Sequence, residues 1–367
     1  MKTFLITLLY IFSSAIHASN SWPEWEHFKS IYISPDGRVI DGSTDQMITT
    51  SEGQAYGLFF ALVANDKQTF SNILEWTENN LSNHDLAKNL PVWSTGIDKN
   101  SKKLMVLDSN SAADADLWIA YVLGEAGRLW GNFEYKSLAY LLSKQILQNE
   151  SIYITNFGWM LLPGAQGFNV DEKTWKLNPS YLPIQILRRF SVLYPHSPWQ
   201  EITNNCIKLL YSSSPLGYAV DWVLFNEVNQ ILLNNKDRNV GGYNAIRVYL
   251  WLGMLNNDDQ DKQALIAHYS PFLETIIKDK NVYEYYDIKL KKQVGSIPNG
   301  FNSAVLPILT SANNLNLAKE FVSTKSFIVD SSSPDHYYDF VLTLFGKGWL
   351  DNRFSFDKNG QLTIKSE

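Results

Sequence analysis

The chain is poor in the residues from which metal and redox sites are built. It has one cysteine, Cys206, and six histidines scattered without ligand spacing. An internal disulfide and a thiolate zinc site are therefore excluded. A phosphate-binding glycine loop, a dinucleotide fingerprint and a nucleophile elbow are also missing. We expect no metal and no cofactor, and we expect Cys206, which lies on the apolar face of a predicted helix, to be buried and inert.

Basic clusters and linker-like stretches are missing as well. The net charge is -6 over 367 residues, which argues against nucleic acid as a partner. No segment rich in proline, glycine and serine interrupts the chain, so we predict one domain over residues 19–367. The hydrophobic share of 45% can form a large core. The aromatic share of 14%, with 12 tryptophans, offers flat apolar faces on which sugar rings can lie.

The one long apolar run lies at the N-terminus. Lys2 precedes the almost wholly apolar residues 4–12, and small residues follow up to Ala18. This pattern is typical of a signal peptide and is too short to span a membrane in the mature protein. We expect residues 1–18 to be removed, by cleavage after Ala15 or Ala18. The protein is then predicted to be periplasmic or secreted, without a membrane span.

Apolar helices alternate with amphipathic helices along the rest of the chain. Ser51 followed by Glu52 predicts a capped start of an apolar helix. Comparable starts lie near residues 108, 178, 241, 298 and 333, and the first five are roughly 60 residues apart, which is typical of repeated helix pairs. The helix at Trp22 supplies the last partner. We therefore predict an all-α fold, an (α/α)6 barrel with short β-strands and loops rimming one end.

The predicted helix starts bring carboxylates and aromatic rings to one end of the barrel. The acids are Glu52, Asp108, Asp114 and Asp116, and the nearby flat faces are Trp93, Trp118, Tyr181, Trp222 and Tyr243. Two carboxyl groups in an aromatic cleft are what glycoside hydrolysis needs. Acids are also common at helix starts for the helix dipole alone. Composition and spacing leave the catalytic and the structural interpretation equally open.

Longer motifs resemble glycoside hydrolase family 8. They are Ser51-Glu52-Gly53-Gln54-Ala55-Tyr56-Gly57, residues 112–130, Trp22-Pro23-Glu24-Trp25, residues 107–111, residues 178–183 and residues 341–346. The likeness runs from about residue 22 to residue 360 and is strongest to members that accompany bacterial cellulose synthase. It implies an (α/α)6 barrel and endo-hydrolysis of β-1,4-glucan (cellulose) with inversion. It also implies a link to cellulose synthesis, with the cellulose synthase complex as a partner.

The same resemblance implies roles for individual residues. Glu52 would be the general acid, and Asp114 the active-site aspartate that holds and distorts the sugar. Trp93, Tyr181 and Trp222 would be platforms for sugar rings. Further substrate contacts would come from Asp108, Asp221, Tyr243 and Arg247.

Asn244 departs from the family pattern. The cellulase branch has an aspartate there as general base, and an amide cannot take a proton from water at a useful pKa. Other branches also have asparagine at this position and take the base from elsewhere. Glu227 and Asp237 are the alternatives in residues 220–238, and the sequence leaves the base unassigned. Ala113, where the family has serine or threonine, is a smaller departure.

Three functions therefore compete. The first is an exported inverting endo-β-1,4-glucanase. The second keeps the fold and the reaction but acts on xylan, chitosan or a mixed-linkage glucan. The third is a catalytically weakened glucan-binding protein in which Asn244 is the loss. The presence of both Glu52 and Asp114 favours a hydrolase, because a pure binder has no need of an acid.

Overall fold

The computed structural model describes residues 22–228, 230–232, 240–324 and 336–365. The predicted signal peptide, Asp237 and the predicted helix start at residue 333 lie outside these ranges. The helices are α1 Pro23–Tyr32, α2 Ser51–Val63, α3 Lys67–Leu81, α4 Ala113–Leu129, α5 Phe133–Asn149, α6 Ile184–Leu193, α7 Trp199–Ser212, α8 Ala245–Met254, α9 Lys262–His268, α10 Ser270–Asp279, α11 Asn299–Ala304, α12 Leu306–Ser311, α13 Leu315–Thr324 and α14 Tyr337–Leu350. A short 3-10 turn, Pro179–Tyr181, precedes α6.

The strands are short and lie between the helices. They are β1 Thr49–Thr50, β2 Ser94–Ile97, β3 Leu104–Asp108, β4 Ser151–Ile154, β5 Gly158–Leu161, β6 Asn169–Asp171, β7 Thr174–Leu177, β8 Val223–Asn226, β9 Gln230–Leu232, β10 Val240–Gly241, β11 Tyr285–Asp287, β12 Lys292–Val294, β13 Phe354–Phe356 and β14 Leu362–Ile364. Every strand pairing among the described residues is antiparallel.

The inner ring consists of α2, α4, α6, α8, the pair α11 and α12, and α14. These helices pack on one another in that order. Their residues are apolar and largely buried on every side, as a helix enclosed by a second ring must be. Phe345 of α14 closes the ring against Phe59 and Phe60 of α2, with ring centroids 5.3 and 4.7 Å apart. The predicted (α/α)6 barrel is confirmed.

The outer ring consists of amphipathic helices that bury one face. In α3 the buried side chains include Phe70, Ile73 and Leu74, at the spacing that brings residues to one helix face. The predicted role of the first helix is also confirmed, since Phe28 of α1 packs on Phe340 of α14 at 5.7 Å. Cys206 of α7 is fully buried, and burial raises the pKa of its thiol. None of the helices that the structure describes is long and apolar enough to cross a membrane.

Two predicted helices are interrupted. The outer helix that follows α8 is divided into α9 and α10 at Tyr269, and Pro271 lies just after the break. The fifth inner helix is divided into α11 and α12, with Pro307 in the first turn of the second piece. Proline lacks the N–H that a continuous helix needs and fits only the first turn. The prediction of single helices was wrong at both places.

Three small sheets lie directly before inner helices. Their strand orders are β1-β2-β3, which leads into α2, β6-β7-β8-β9, which leads into the turn before α6, and β10-β11-β12, which leads into α8. These short strands agree with the strands predicted to rim one end of the barrel. The hairpin of β2 and β3 was not predicted. The β13-β14 hairpin instead covers the inner ring from another side, where Tyr121 donates a hydrogen bond to the Gly360 carbonyl at 2.8 Å.

Candidate active site

Glu52 is the second residue of α2, and a strand positions it. The helix is capped by Thr50, whose Oγ1 accepts the Gly53 N–H at 3.0 Å, so the predicted cap at Ser51 was wrong. Thr50 belongs to β1 and pairs with Ser94, which gives it the extended backbone that a cap requires. Ser51 is instead helical and donates its N–H to the Trp93 carbonyl at 2.9 Å. This pairing brings Trp93 beside the helix start that carries Glu52.

Arg247 is the centre of the predicted site. Its side chain is 5% exposed, and its two terminal nitrogens each hold several groups. Nη1 donates to Glu52 Oε2, to Tyr56 Oη at 3.1 Å and to Asp114 Oδ2 at 3.1 Å; Nη2 donates to Ser180 Oγ at 3.2 Å and to Asn244 Oδ1 at 3.0 Å. One guanidinium therefore joins the starts of α2, α4 and α8 with the turn before α6. The expectation that inner-helix starts converge is confirmed.

Asp114 is held within the first turn of α4. Its Oδ1 accepts the Ala115 N–H at 2.9 Å, and its Oδ2 accepts from Arg247. Ala112, the N-cap residue of α4, makes no side-chain capping hydrogen bond. The Ala113 N–H instead donates to the Pro163 carbonyl at 2.9 Å. The position of Asp114 therefore depends on the loop that contains Pro163.

The electrostatics of the cluster favour a stored proton. Burial raises the pKa of Asp114 well above its usual value, the negative charge of Glu52 raises it further, and Arg247 opposes both. Burial also disfavours the charge on Arg247, but the neighbouring carboxylates outweigh this and raise its pKa. Burial therefore favours the neutral, protonated form of Asp114, which lies beside Glu52 and a single buried cation.

Asn244 is fixed at the start of α8 by two donors. Its Oδ1 accepts from Asn178 Nδ2 at 3.1 Å and from Arg247, so its amide nitrogen is turned the other way. Within the described residues this nitrogen has no hydrogen-bond acceptor. Both neighbours of Oδ1 are donors. Position 244 is therefore built to hold an oxygen acceptor, and a carboxylate would fit it.

Asp221 organises the backbone beside Asn244. Its Oδ1 accepts the N–H groups of Gly242, Asn244 and Ala245 at 2.9, 3.1 and 2.8 Å. Burial raises the pKa of Asp221, and these three hydrogen bonds oppose the shift. The predicted substrate contact is thus also the residue that anchors the start of α8.

Aromatic side chains extend from the cluster in a line. The Tyr181 ring lies 5.6 Å from the guanidinium carbon of Arg247, and Trp222 lies 6.1 Å from Tyr181. Phe168 stacks on Trp222 at 6.2 Å with nearly parallel planes. Lys176 Nζ lies 4.6 Å from the centroid of Trp222. Tyr181 and Trp222, the predicted sugar platforms, therefore lie next to each other beside the Arg247 cluster.

The other predicted contacts lie further out. Trp93 and Tyr243 are 43% and 40% exposed, and the Tyr243 hydroxyl donates to Glu284 Oε1 at 3.1 Å. Asp108 ends β3 opposite Ser94, and its Oδ1 accepts the Asn110 N–H at 2.8 Å. The expectation for Trp118 was wrong, since it is fully buried in the inner core. Its ring packs against apolar neighbours in place of lining the cleft.

The two alternative bases lie away from this cluster or outside the described residues. Glu227 follows β8, and its N–H donates to the Lys173 carbonyl at 2.9 Å. It lines a pocket with Asn156, Phe157, Phe225 and Val228. Among the described residues, no hydrogen bond or ion pair joins the Glu227 side chain to Glu52, Asp114 or Arg247. Asp237 belongs to the undescribed residues 233–239.

Sequence reasoning missed several members of the cluster. They are Tyr56, Ser180, Asn178, Phe168 and Tyr338, whose hydroxyl donates to the Tyr243 carbonyl at 2.7 Å. Tyr56 could have been found, because it lies four residues after Glu52 on the same helix face. Ser180 and Asn178 lie in a motif already noted for Tyr181. No sequence signal placed Phe168 against Trp222.

Asp116 and Glu150 form a second pair of acids behind α4. Both are fully buried. Within the described ranges, no group of three or more histidine, cysteine, aspartate or glutamate side chains is placed to hold a metal ion.

Comparison with known proteins now identifies the family. Residues 1–352 match the family described as Glycosyl hydrolases family 8. An endoglucanase from Escherichia coli O157:H7 is 40% identical over 364 residues, which are 99% of this chain and 96% of that protein. An endoglucanase from Xanthomonas axonopodis pv. citri is 39% identical over 93% of this chain and 88% of that protein.

Solved structures agree with the sequence relatives. The crystal structure of endo-1,4-D-glucanase from Vibrio fischeri ES114 is 44% identical, has a TM-score of 0.88 and covers 94% of this chain and 99% of that chain. The ring of inner helices, the convergence of their starts and the similarity to these proteins all indicate the same family. The chain belongs to glycosyl hydrolases family 8.

Proposed function

We propose that the protein is an endo-β-1,4-glucanase that cleaves cellulose-type glucan with inversion at the anomeric carbon. The relatives named above, at 39–44% identity, are an endo-1,4-D-glucanase and endoglucanases. The observation that carries the proposal is the buried cluster of Glu52, Asp114 and Arg247 next to the rings of Tyr181 and Trp222. It supplies an acid, a charged anchor and flat apolar surfaces.

Glu52 is the proton donor in this proposal. Its side chain is 22% exposed, whereas the side chain of Asp114 is 3% exposed, so Glu52 is the member of the pair that can reach the leaving oxygen. A general acid must hold its proton until the leaving oxygen takes it, and Glu52 has that role in this proposal. Arg247 then stabilises the carboxylate that Glu52 becomes after it has donated its proton.

Asp114 is not the partner base. Its Oδ2 and Glu52 Oε2 contact the same nitrogen of Arg247, so these two oxygens are at most roughly 6 Å apart, the sum of two hydrogen-bond distances. An inverting enzyme needs room for water between its carboxyl groups, which are about 6.5–9.5 Å apart. In this proposal Asp114 instead holds and distorts the sugar at the cleavage point.

Asn244 supports a second candidate function, a catalytically weakened glucan-binding protein. Its free amide nitrogen can donate a hydrogen bond to a water molecule but cannot take the proton. If the chain hydrolyses glucan, the base comes from another residue, and Glu227 and Asp237 are the acids to test. If it does not, the aromatic line still binds the polymer.

Positive charges next to the rings of Tyr181 and Trp222 favour a neutral polymer as the substrate. Lys176 over Trp222, together with Arg247, disfavours a cationic polymer such as chitosan. Cellulose presents neutral flat rings that match Tyr181 and Trp222. Xylan shares that flatness, so it is the alternative to compare directly.

Export and a link to cellulose synthesis complete the proposal. Export is supported by the basic and apolar pattern of residues 1–18. In this proposal the mature protein works in the periplasm or outside the cell on newly made glucan, and the cellulose synthase complex is its partner. Fractionation of cells that express the full chain tests the location, and pull-down with the synthase tests the partner.

The test of the reaction compares wild type, Glu52→Gln and Asn244→Asp on cello-oligosaccharides, with the product anomer read by NMR. The expected results are an α-anomer product from wild type and loss of turnover in Glu52→Gln. A β-anomer product would contradict inversion. Binding without turnover in wild type, with cleavage gained in Asn244→Asp, would establish the glucan-binding function. Glu227→Gln and Asp237→Asn then locate the base.

A further inference from the structure

The second acid pair lies on the far side of α4 from the cleft. Asp116 follows Asp114 by two residues, which places it on the opposite face of the helix. Glu150 ends α5. Both side chains are fully buried, and neither takes part in the Arg247 cluster.

The pair has no cation and few donors. Among the described residues, no lysine, arginine or histidine forms an ion pair with Asp116 or Glu150. Both carboxyl oxygens of Asp116 and Oε2 of Glu150 are buried and have no hydrogen-bond partner outside the pair. Two unpaired buried carboxylates would be very costly. The other charged group that faces them is Asp114, which is also acidic. The pair must therefore hold a proton between its two carboxyl groups.

Glu150 also connects two segments of backbone. Its Oε1 accepts from Ser111 Oγ at 2.5 Å, and its main-chain carbonyl accepts the Leu162 N–H at 2.7 Å. Ser111 Oγ in turn accepts the Ala165 N–H at 3.0 Å. Gly164 lies so close to Ser111 that a Cβ on it would come within 2.3 Å of the Ser111 carbonyl oxygen. Glu150 thus ties residues 162–165 to the segment before α4.

These connections lead to Asp114. The start of α4 has no side-chain cap, and the Pro163 carbonyl takes the Ala113 N–H in its place. We propose that Asp116 and Glu150 are a proton-sharing positioning pair that, through Ser111 and the 162–165 loop, holds Asp114 in its catalytic geometry. The inference rests on the proposed function insofar as Asp114 acts on the sugar.

Burial is consistent with the shared proton. It raises the pKa of Asp116 well above its usual value, and the nearby negative charge of Glu150 adds to this. Burial also raises the pKa of Glu150 to about 7, with hydrogen bonds from Ser111 and Asp116 opposing the shift. Asp116 is thus the member that keeps the proton, and it donates to Glu150.

The kinetic test uses Glu150→Ala, Ser111→Ala and Glu150→Gln. The first two variants remove the hydrogen bond between Glu150 and Ser111. A displacement of a catalytic group by about 1 Å lowers the rate about 100-fold. We therefore expect kcat to fall by about that factor while KM stays within about twofold of wild type. Glutamine can accept from Ser111 and donate to Asp116, so Glu150→Gln should restore kcat to near the wild-type value. Glu134→Gln, an exposed acid on the same helix, is the control and should change neither constant.

Two further measurements do not need turnover. Infrared difference spectra between wild type and Asp116→Asn should show a buried protonated carboxyl at neutral pH. Carbon-13 NMR titration of the Asp114 carboxyl should differ between wild type and Ser111→Ala. If wild type proves inactive, these spectra still decide the inference while the proposed function fails.

Three results would overturn the positioning pair. They are the absence of a protonated carboxyl in wild type, an unchanged Asp114 titration in Ser111→Ala, and wild-type kcat in both Ser111→Ala and Glu150→Ala. If Glu150→Ala does not fold by circular dichroism, Ser111→Ala, which leaves both acids in place, gives the kinetic answer.

Discussion

Replacement of Arg247 by methionine tests the core of the active-site argument. Methionine preserves much of the volume but removes the charge and all hydrogen bonds to the two acids, two hydroxyls and the Asn244 amide. The loss of one partner from a buried ion pair costs about 3–5 kcal/mol of unfolding free energy. The two remaining acids then have no cation beside them.

The effect on catalysis should be larger than stability alone explains. Without Arg247, Glu52 and Asp114 lose their common anchor, and the carboxylate formed on Glu52 loses its counter-ion. Loss of one preorganised electrostatic contact lowers kcat by about 100- to 1,000-fold. We expect a reduction in that range for hydrolysis of cello-oligosaccharides, measured by reducing ends at a temperature where the variant is folded.

Arg189→Met is the matched control. Arg189 is also buried and paired, to Glu125 at 2.6 Å, but it lies on α6 away from the Glu52 cluster. It should lose a similar amount of unfolding free energy in urea titrations while kcat stays within about twofold. If Arg247→Met keeps more than a tenth of the wild-type kcat, or if both variants lose activity equally, the argument for Arg247 as the anchor of the acids is refuted.

Three further predictions concern binding, stability and pH. Trp222→Ala should raise KM about 10-fold with a smaller change in kcat, because a stacked ring contributes about 1.5 kcal/mol to the binding of a sugar ring. Equal KM values for wild type and variant in steady-state assays would contradict the role of Trp222 as a platform. Glu125→Gln should lower the free energy of unfolding by about 3 kcal/mol, measured by urea titration. The reason is that Glu125 accepts hydrogen bonds from two arginines and from the Leu362 N–H of the β13-β14 hairpin. An unchanged urea midpoint would show that the hairpin is held by apolar contacts alone. Folding raises the pKa of Glu150 from 4.5 to about 7, so the folded state binds that proton more tightly. The unfolding free energy should then fall by roughly 3 kcal/mol as pH rises from below 4.5 to above 7. A fall of the same size in Glu150→Gln would rule Glu150 out as its source.

The sequence by itself determined the architecture. Helix starts recur at a nearly constant interval, and apolar helices alternate with amphipathic ones, so only nested rings can bury every apolar face. It also predicted that Glu52 and Asp114 come together, because both are at the starts of inner helices and parallel inner helices bring their starts together. It placed Asp116 with them as well, which was wrong, because Asp116 lies on the opposite face of α4. Pro271 and Pro307 show the limit of this argument. The apolar periodicity continues across both positions, but proline cannot donate the backbone hydrogen bond of a helix interior, so the helix is interrupted at each.

Only the tertiary structure decided how the site works. The contacts that matter join residues far apart in the chain: Arg247 reaches Glu52 across 195 positions and Asp114 across 133. Periodicity cannot report such pairs, because it describes which face of a helix is buried and not which side chain lies opposite. For the same reason, the sequence did not predict the stacking of Phe168 on Trp222 or the hydrogen bond between Ser111 and Glu150. The cap at Thr50 was likewise decided by a strand, since the pairing of β1 with β2 sets the backbone that α2 continues.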